Sequence, residues 1–115
     1  MDPDEFFERL DALVQTSTLI IERPAGSVHP RIPSVVYPID YGALEGTTSN
    51  DGAGVDVFVG RTPGRGIIGV ALTADLVKSD VEVKILLDCS DADRDVALAF
   101  LVNDLGIGGH WVPRP

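Results

Sequence analysis

A small β-barrel carrying a helix toward each end is the fold class this sequence predicts. Three observations predict it: short β-branched stretches at close intervals, Gly/Pro turns between them, and a capped amphipathic segment at either end. With 115 residues and 44% hydrophobic content, the chain is expected to form one domain over 1–115 around a single core.

Asp2 precedes Pro3, and Glu5 lies three residues after Asp2, a capping-box-like helix start with proline at the first helical position. Phe6, Leu10 and Leu13, with Phe7 and Val14 on an adjoining line, recur at helical spacing, while Glu5, Glu8, Arg9 and Asp11 are expected to stay wet. Residues 18–21 predict a short strand, ended by the Glu-Arg-Pro-Ala-Gly run at 22–26. Pro30 and Pro33 restrict residues 28–35 to extended or turn backbone, and 35–37, ahead of Pro38, predict a brief edge strand.

Val55, Val57 and Val59 alternate with Asp56 and Phe58, so Asp56 is expected on the face opposite the valines. Residues 61–66 form a Pro/Gly turn and 67–72 an apolar strand. The clearest strand follows: Val81, Val83, Ile85 and Leu87 fall on one side, Asp80, Glu82, Lys84 and Leu86 on the other. Ser90 is the expected cap of a second helix, covered by Val96, Leu98, Ala99, Leu101 and Val102 and ending at Gly106; Gly108, Gly109 and Pro113 predict an irregular tail.

The formal charge of −9 disfavours nucleic acid as a partner, because binding to phosphodiester backbones draws on Lys and Arg. A lone Cys89 and two histidines, His29 and His110, exclude an intramolecular disulfide and zinc-type spacing. Cys89, His110 and Trp111 are expected to pack, and His29 to be a surface or hydrogen-bonded loop residue, with contact to phosphate as its alternative. An acidic N-terminus and the absence of a long apolar run predict a cytoplasmic protein with no membrane partner. The mean hydropathy of +0.17 is high for a lone small domain and predicts a homo-oligomer.

The Gly-Arg-Gly-Ile-Ile-Gly run at 64–69 matches a dinucleotide fingerprint by letter only, since its third glycine falls in a strand-like stretch where that fingerprint needs a helix start. The loop from Asp51 to Asp56 does not fit an EF-hand; a glycine turn with solvated aspartates is its plain alternative. Likewise Asp80, Glu82 and Lys84 alone read as an exposed polar face. Two acidic clusters, a strand lysine, Arg31, Tyr37 and Tyr41 in one small barrel nevertheless favour a pocket for a divalent cation and an anion. Carboxylates suit Mg²⁺, Arg31 can grip phosphate through two parallel bonds, and Lys84 offers a point charge.

The Glu-Arg-Pro-Ala-Gly run, the Tyr-Pro-Ile-Asp-Tyr-Gly run at 37–42 and residues 51–59 make the chain similar to family I soluble inorganic pyrophosphatases over residues 20–87, as a short, divergent member. The resemblance implies a distorted OB-like five-stranded β-barrel with flanking helices, oligomeric assembly, and Mg²⁺-dependent hydrolysis of pyrophosphate. It places Glu22, Arg31, Tyr37, Tyr41 and Lys84 at substrate, Asp51, Asp56 and Glu82 in catalysis, and Asp51, Asp56, Asp75, Asp80 and Glu82 at metal. The family's Asp-x-Asp-x-x-Asp lands on Asp51, Ala53 and Asp56, so the middle carboxylate is missing. Its Asp-x-x-x-x-Asp-x-Lys motif matches either Asp75 and Asp80, with Glu82 in the lysine position, or Glu82 and Lys84, with Val77 at the first acid. A Tyr-Lys pair falls on Val102 and Asn103. The alternative to an enzyme is therefore an impaired module of the same kind that binds metal, phosphate or a protein partner.

Overall fold

The computed structural model describes Met1–Pro115 as a six-stranded mixed sheet with a helix on each face. Helix α1 (Pro3–Thr16) starts as the sequence predicts: the Asp2 carboxylate accepts from the Glu5 N–H at 2.9 Å, with Pro3 in the first turn. Six strands follow, β1 (Thr18–Arg23), β2 (Asp40–Glu45), β3 (Val55–Val59), β4 (Ile67–Asp75), β5 (Asp80–Leu87) and β6 (His110–Pro113), with α2 (Asp91–Ala99) between β5 and β6. Their order in space is β1-β2-β3-β5-β4-β6, antiparallel except for the β3/β5 pair.

This architecture corrects the expected closed five-stranded barrel. The sheet is open, with β1 and β6 as its edges, and the tail expected to be irregular is a sixth strand paired to β4. Pairing overrides the glycine-rich approach to that tail because Trp111 lies over Gly69, where any Cβ would collide with the indole. Residues 40–45, for which the sequence predicted no element, form β2. By contrast residues 35–37 give only one isolated bridge, Val28 to Val36, because the flanking prolines withhold ladder donors. The second helix starts at the Ser90 cap, within a reciprocal capping box to Asp93, but its last turn, Phe100–Asp104, widens to a π-helical turn before Gly106 at φ 65°.

Two apolar clusters hold the layers together. Phe7 and Leu10 of α1 pack on Leu44, Val57, Val70 and Ile85, while Phe6 and Leu13 stay exposed. Asp11 is not simply solvated: both its oxygens accept from the Arg114 guanidinium, at 2.8 and 2.7 Å, tying α1 to the chain end. On the opposite sheet face Phe58, Ala71 and Leu86 meet Ala97, Phe100 and Leu101. Burying each of the larger of these side chains stabilises the fold by about 1.5–3 kcal/mol.

The alternation of β5 is as predicted, but both of its sides are covered: Ile85 packs under α1, and the polar side is buried as well. Glu82 and Lys84 are buried, 8% and 4% exposed, whereas Val81 is 58% exposed. The apolar layer under α1 and α2 covers only part of the sheet, and beyond α2 the inward face is polar. That is where the cleft opens.

Candidate functional site

A cleft of about 640 Å³ lies on the sheet face opposite α1. Strands β2, β3 and β5 deliver its floor in register: Tyr41 pairs with Phe58, Ala43 with Asp56, and Asp56 with Lys84, so alternate residues present one polar face. The loop from β1 to β2 and the β4–β5 hairpin supply the walls.

Gly42 makes this arrangement possible, because a Cβ there would run into the Ile20 carbonyl of β1. A bulge between Ile21 and Arg23 follows directly. Strict alternation would send Glu22 and Arg23 to opposite faces, yet with the register shifted both line the cleft. The Asp40 carboxylate anchors the chain leaving β1 by accepting from the Ala25 N–H at 2.8 Å.

Lys84 is the hub. Its Nζ donates to the Tyr41 hydroxyl at 2.9 Å, to Asp56 Oδ2 at 2.8 Å and to Glu82 Oε2 at 2.8 Å, which uses all three ammonium hydrogens. Burial works against the charged ammonium, but Tyr41, Asp56 and Glu82 outweigh it and hold the lysine protonated, well above its ordinary range. Burial also drives the Tyr41 hydroxyl far above its ordinary value, against the pull of Lys84, and raises Tyr37 in the same way. Both phenols therefore keep their protons near neutral pH.

Asp51, Asp80 and Glu82 form a second group, each offering a carboxylate oxygen within 4.8 Å of the others. Asp51 is set by its own loop, accepting from Ser49 Oγ at 2.7 Å and the Ala53 N–H at 2.9 Å, and these bonds hold its carboxyl below the usual range. Burial pushes Glu82 upward, opposed by Lys84, and a shared hydrogen bond with Asp51 adds to the rise. Negative charge is thus crowded at this end, and three hard oxygen donors at this spacing fit one divalent cation.

Of the residues singled out from sequence, Glu22, Arg31, Tyr37, Tyr41, Asp51, Asp56, Glu82 and Lys84 line the one cleft. Asp80 joins through the acidic trio. Asp75 does not: its Oδ1 accepts from the Val77 and Lys78 N–H groups at 2.9 and 3.1 Å, closing the β4–β5 turn. Of the two motif alignments, the one through Glu82 and Lys84 is the one whose residues face the cleft; it leaves Val77, 97% exposed, at the hairpin tip. Val102 and Asn103 sit on the π-helical turn, outside the cleft lining. The Gly64–Gly69 run spans a turn and β4, as expected for a letter match only.

Sequence reasoning missed Arg23 and Lys78 and preferred a loop role for His29 over contact with phosphate. His29 does organise its loop, its Nδ1 accepting from the Arg31 and Ile32 N–H groups at 3.1 and 3.2 Å, and it also lines the cleft. The usable signal for Arg23 was its place beside Glu22 ahead of Pro24, where a strand end commonly bulges. No helix is long and apolar enough to cross a membrane. No protein-family profile, curated protein or solved structure matches this chain.

Proposed function

We propose that this protein is a Mg²⁺-dependent hydrolase of inorganic pyrophosphate, working in the cytoplasm as a homo-oligomer. The observation that carries the reading is the meeting, in one cleft, of the Asp51, Asp80 and Glu82 carboxylates with Arg31, Tyr37 and the Lys84 network. In this reading β1 to β5 correspond to an opened form of the OB-like barrel that the resemblance implies, with β6 added on the free edge of β4. Oligomer formation would cover apolar side chains left in water, among them Leu76 and Val81.

Asp51, Asp80 and Glu82 would hold the metal, and Mg²⁺ when bound neutralises anhydride charge and makes water easier to deprotonate. Arg31 would grip a phosphoryl group through two parallel N–H bonds. Tyr37, kept protonated, donates a hydrogen bond to a phosphoryl oxygen. Asp56, with one oxygen on Lys84, takes the proton of the attacking water on the other. Lys84 positions Asp56, Glu82 and Tyr41 rather than reaching for phosphate, since its donors are already used.

The test is phosphate release from pyrophosphate with Mg²⁺. Wild type should exceed Asp56→Ala by at least about tenfold, corresponding to ~1.4 kcal/mol of transition-state stabilisation. Equal release from the two proteins sinks the hydrolase reading.

A second reading, a non-hydrolysing module that binds metal and phosphate, is favoured by Ala53, which leaves the Asp51–Asp56 loop without its middle carboxylate. Ala53→Asp separates the two. Under this second reading, a silent wild type gains turnover when the carboxylate is restored; under the first, wild type is already active.

A further inference from the structure

The chain has nine Lys and Arg residues against eighteen Asp and Glu. Six of the nine, Arg9, Arg61, Arg65, Lys84, Arg94 and Arg114, lie within 3.6 Å of a carboxylate oxygen. The three without such a partner are Arg23, Arg31 and Lys78, and all three line the same cleft. In a protein this acidic, the three cations that lack a carboxylate partner are gathered at one place, in a cleft that also carries Glu22, Glu45, Asp51, Asp56 and Glu82.

Two further details lie at the same place. The Arg23 Nε is buried with no hydrogen-bond partner, while the rest of its guanidinium makes a long bond, 3.3 Å, from Nη1 to the Glu22 carbonyl and lies beside the Tyr37 hydroxyl. A buried donor without an acceptor is unfavourable unless a ligand completes it. His29 accepts two backbone N–H bonds on Nδ1, which puts the proton of its neutral ring on Nε2 and makes that nitrogen a donor. Burial, then Arg31, Arg23 and Lys78, hold this imidazole below its ordinary range, so it is neutral at pH 7.

We propose that Arg23, His29 and Lys78, together with Arg31, form a metal-independent oxyanion subsite that takes one phosphoryl group, either free phosphate or one end of a diphosphate. The diphosphate half of this statement rests on the pyrophosphate reading; the oxyanion half stands without it. The cleft then offers both kinds of group: carboxylates at Asp51, Asp80 and Glu82, and donors without a carboxylate partner at Arg23, His29, Arg31 and Lys78. A doubly phosphorylated guest would be oriented before any metal arrives.

The test is an NMR titration of the intact protein with inorganic phosphate, and separately with pyrophosphate, in EDTA. The two histidines give an internal control, since His110 lies on β6 outside this cleft. Saturable binding is expected, with the His29 pKa rising by at least about half a unit as the anion's charge arrives, and the His110 ring resonances unchanged on adding the anion. Arg23→Gln and the exposed-turn Lys78→Gln should each weaken phosphate binding by roughly three- to tenfold, whereas Arg9→Gln, on an exposed helix face, should not. Saturation with phosphate alone assigns the subsite to a free anion, and tighter binding of pyrophosphate assigns it to one end of a diphosphate. No saturation below about 10 mM, a Kd corresponding to only ~2.7 kcal/mol of binding, or equal weakening by Arg9→Gln and Lys78→Gln, overturns the proposal. Phosphate binding in EDTA without hydrolysis in Mg²⁺ retires the hydrolase reading and leaves the subsite standing. Hydrolysis unaffected by Arg23→Gln and Lys78→Gln does the reverse.

Discussion

Replacing Lys84 by methionine tests whether the cleft floor is organised by one buried cation. The methionine fills similar volume but leaves Asp56 and Glu82 facing each other with the ammonium gone, from contacts of 2.8 Å to each and 2.9 Å to Tyr41. Removing one member of a buried ionic cluster costs about 3–5 kcal/mol, because the remaining charges keep their burial and lose their partner. Against a total stability of roughly 5–15 kcal/mol for a domain of this size, that is a large fraction, and Tm should fall by roughly 10–20 °C.

The sign of the pH dependence follows. Burial already raises the Glu82 carboxyl, and without Lys84, which opposes that rise, its folded-state pKa climbs further above the unfolded value. The variant's native state then binds more protons than its unfolded state, and the deficit shrinks as pH falls through that raised value. Urea melts of both proteins at pH 7.5 and pH 5 read this directly. Mg²⁺ at ten times its dissociation constant should return about 1.4 kcal/mol to the variant by binding the freed carboxylates. A Lys84→Met protein within about 1 kcal/mol of wild type at pH 7.5 would refute the reasoning, since the lysine would then be a bystander.

Two further perturbations probe the frame around the cleft. Asp93, 3% exposed, is pushed up by burial but held at about 2 by the Arg61 N–H and guanidinium and the Ser90 N–H; it therefore contributes roughly 2 kcal/mol that is present above pH 4 and lost as pH falls through about 2. Asp93→Asn should open a gap of that size in urea melts at pH 7 that narrows by pH 2.5, and a constant gap would contradict it. Gly42→Ala, which forces a Cβ into the Ile20 carbonyl, should lower stability by about 1–3 kcal/mol and weaken phosphate binding by displacing the β1 end that carries Arg23; unchanged calorimetry would contradict it.

Much of the frame was legible because it is local. Asp2 and Pro3 announce α1, Ser90 announces α2, and the alternation of β5 is visible at a glance. What a period of two cannot say is what covers each side. Lys84 is buried only because Asp56 and Tyr41 arrive from β3 and β2, and that register is a long-range fact. The sixth strand depended on a contact between Trp111 and Gly69, forty-two positions apart, so turn chemistry alone misread the tail. Asp75 had the right spacing for a metal-site motif but serves the hairpin turn, where a carboxylate two residues ahead of free N–H groups finds an immediate use. Arg23 reached the cleft through a bulge, and bulges are invisible to strict alternation.

The measurement that bears most directly on the central claim is diffraction from crystals soaked with Mn²⁺ and an unreactive imidodiphosphate, using the anomalous signal of the metal. An anomalous peak between Asp51, Asp80 and Glu82, with the phosphorus atoms lying toward Arg31 and Arg23, is the predicted result. Metal and diphosphate both absent from that cleft, at concentrations that saturate binding in solution, would contradict it.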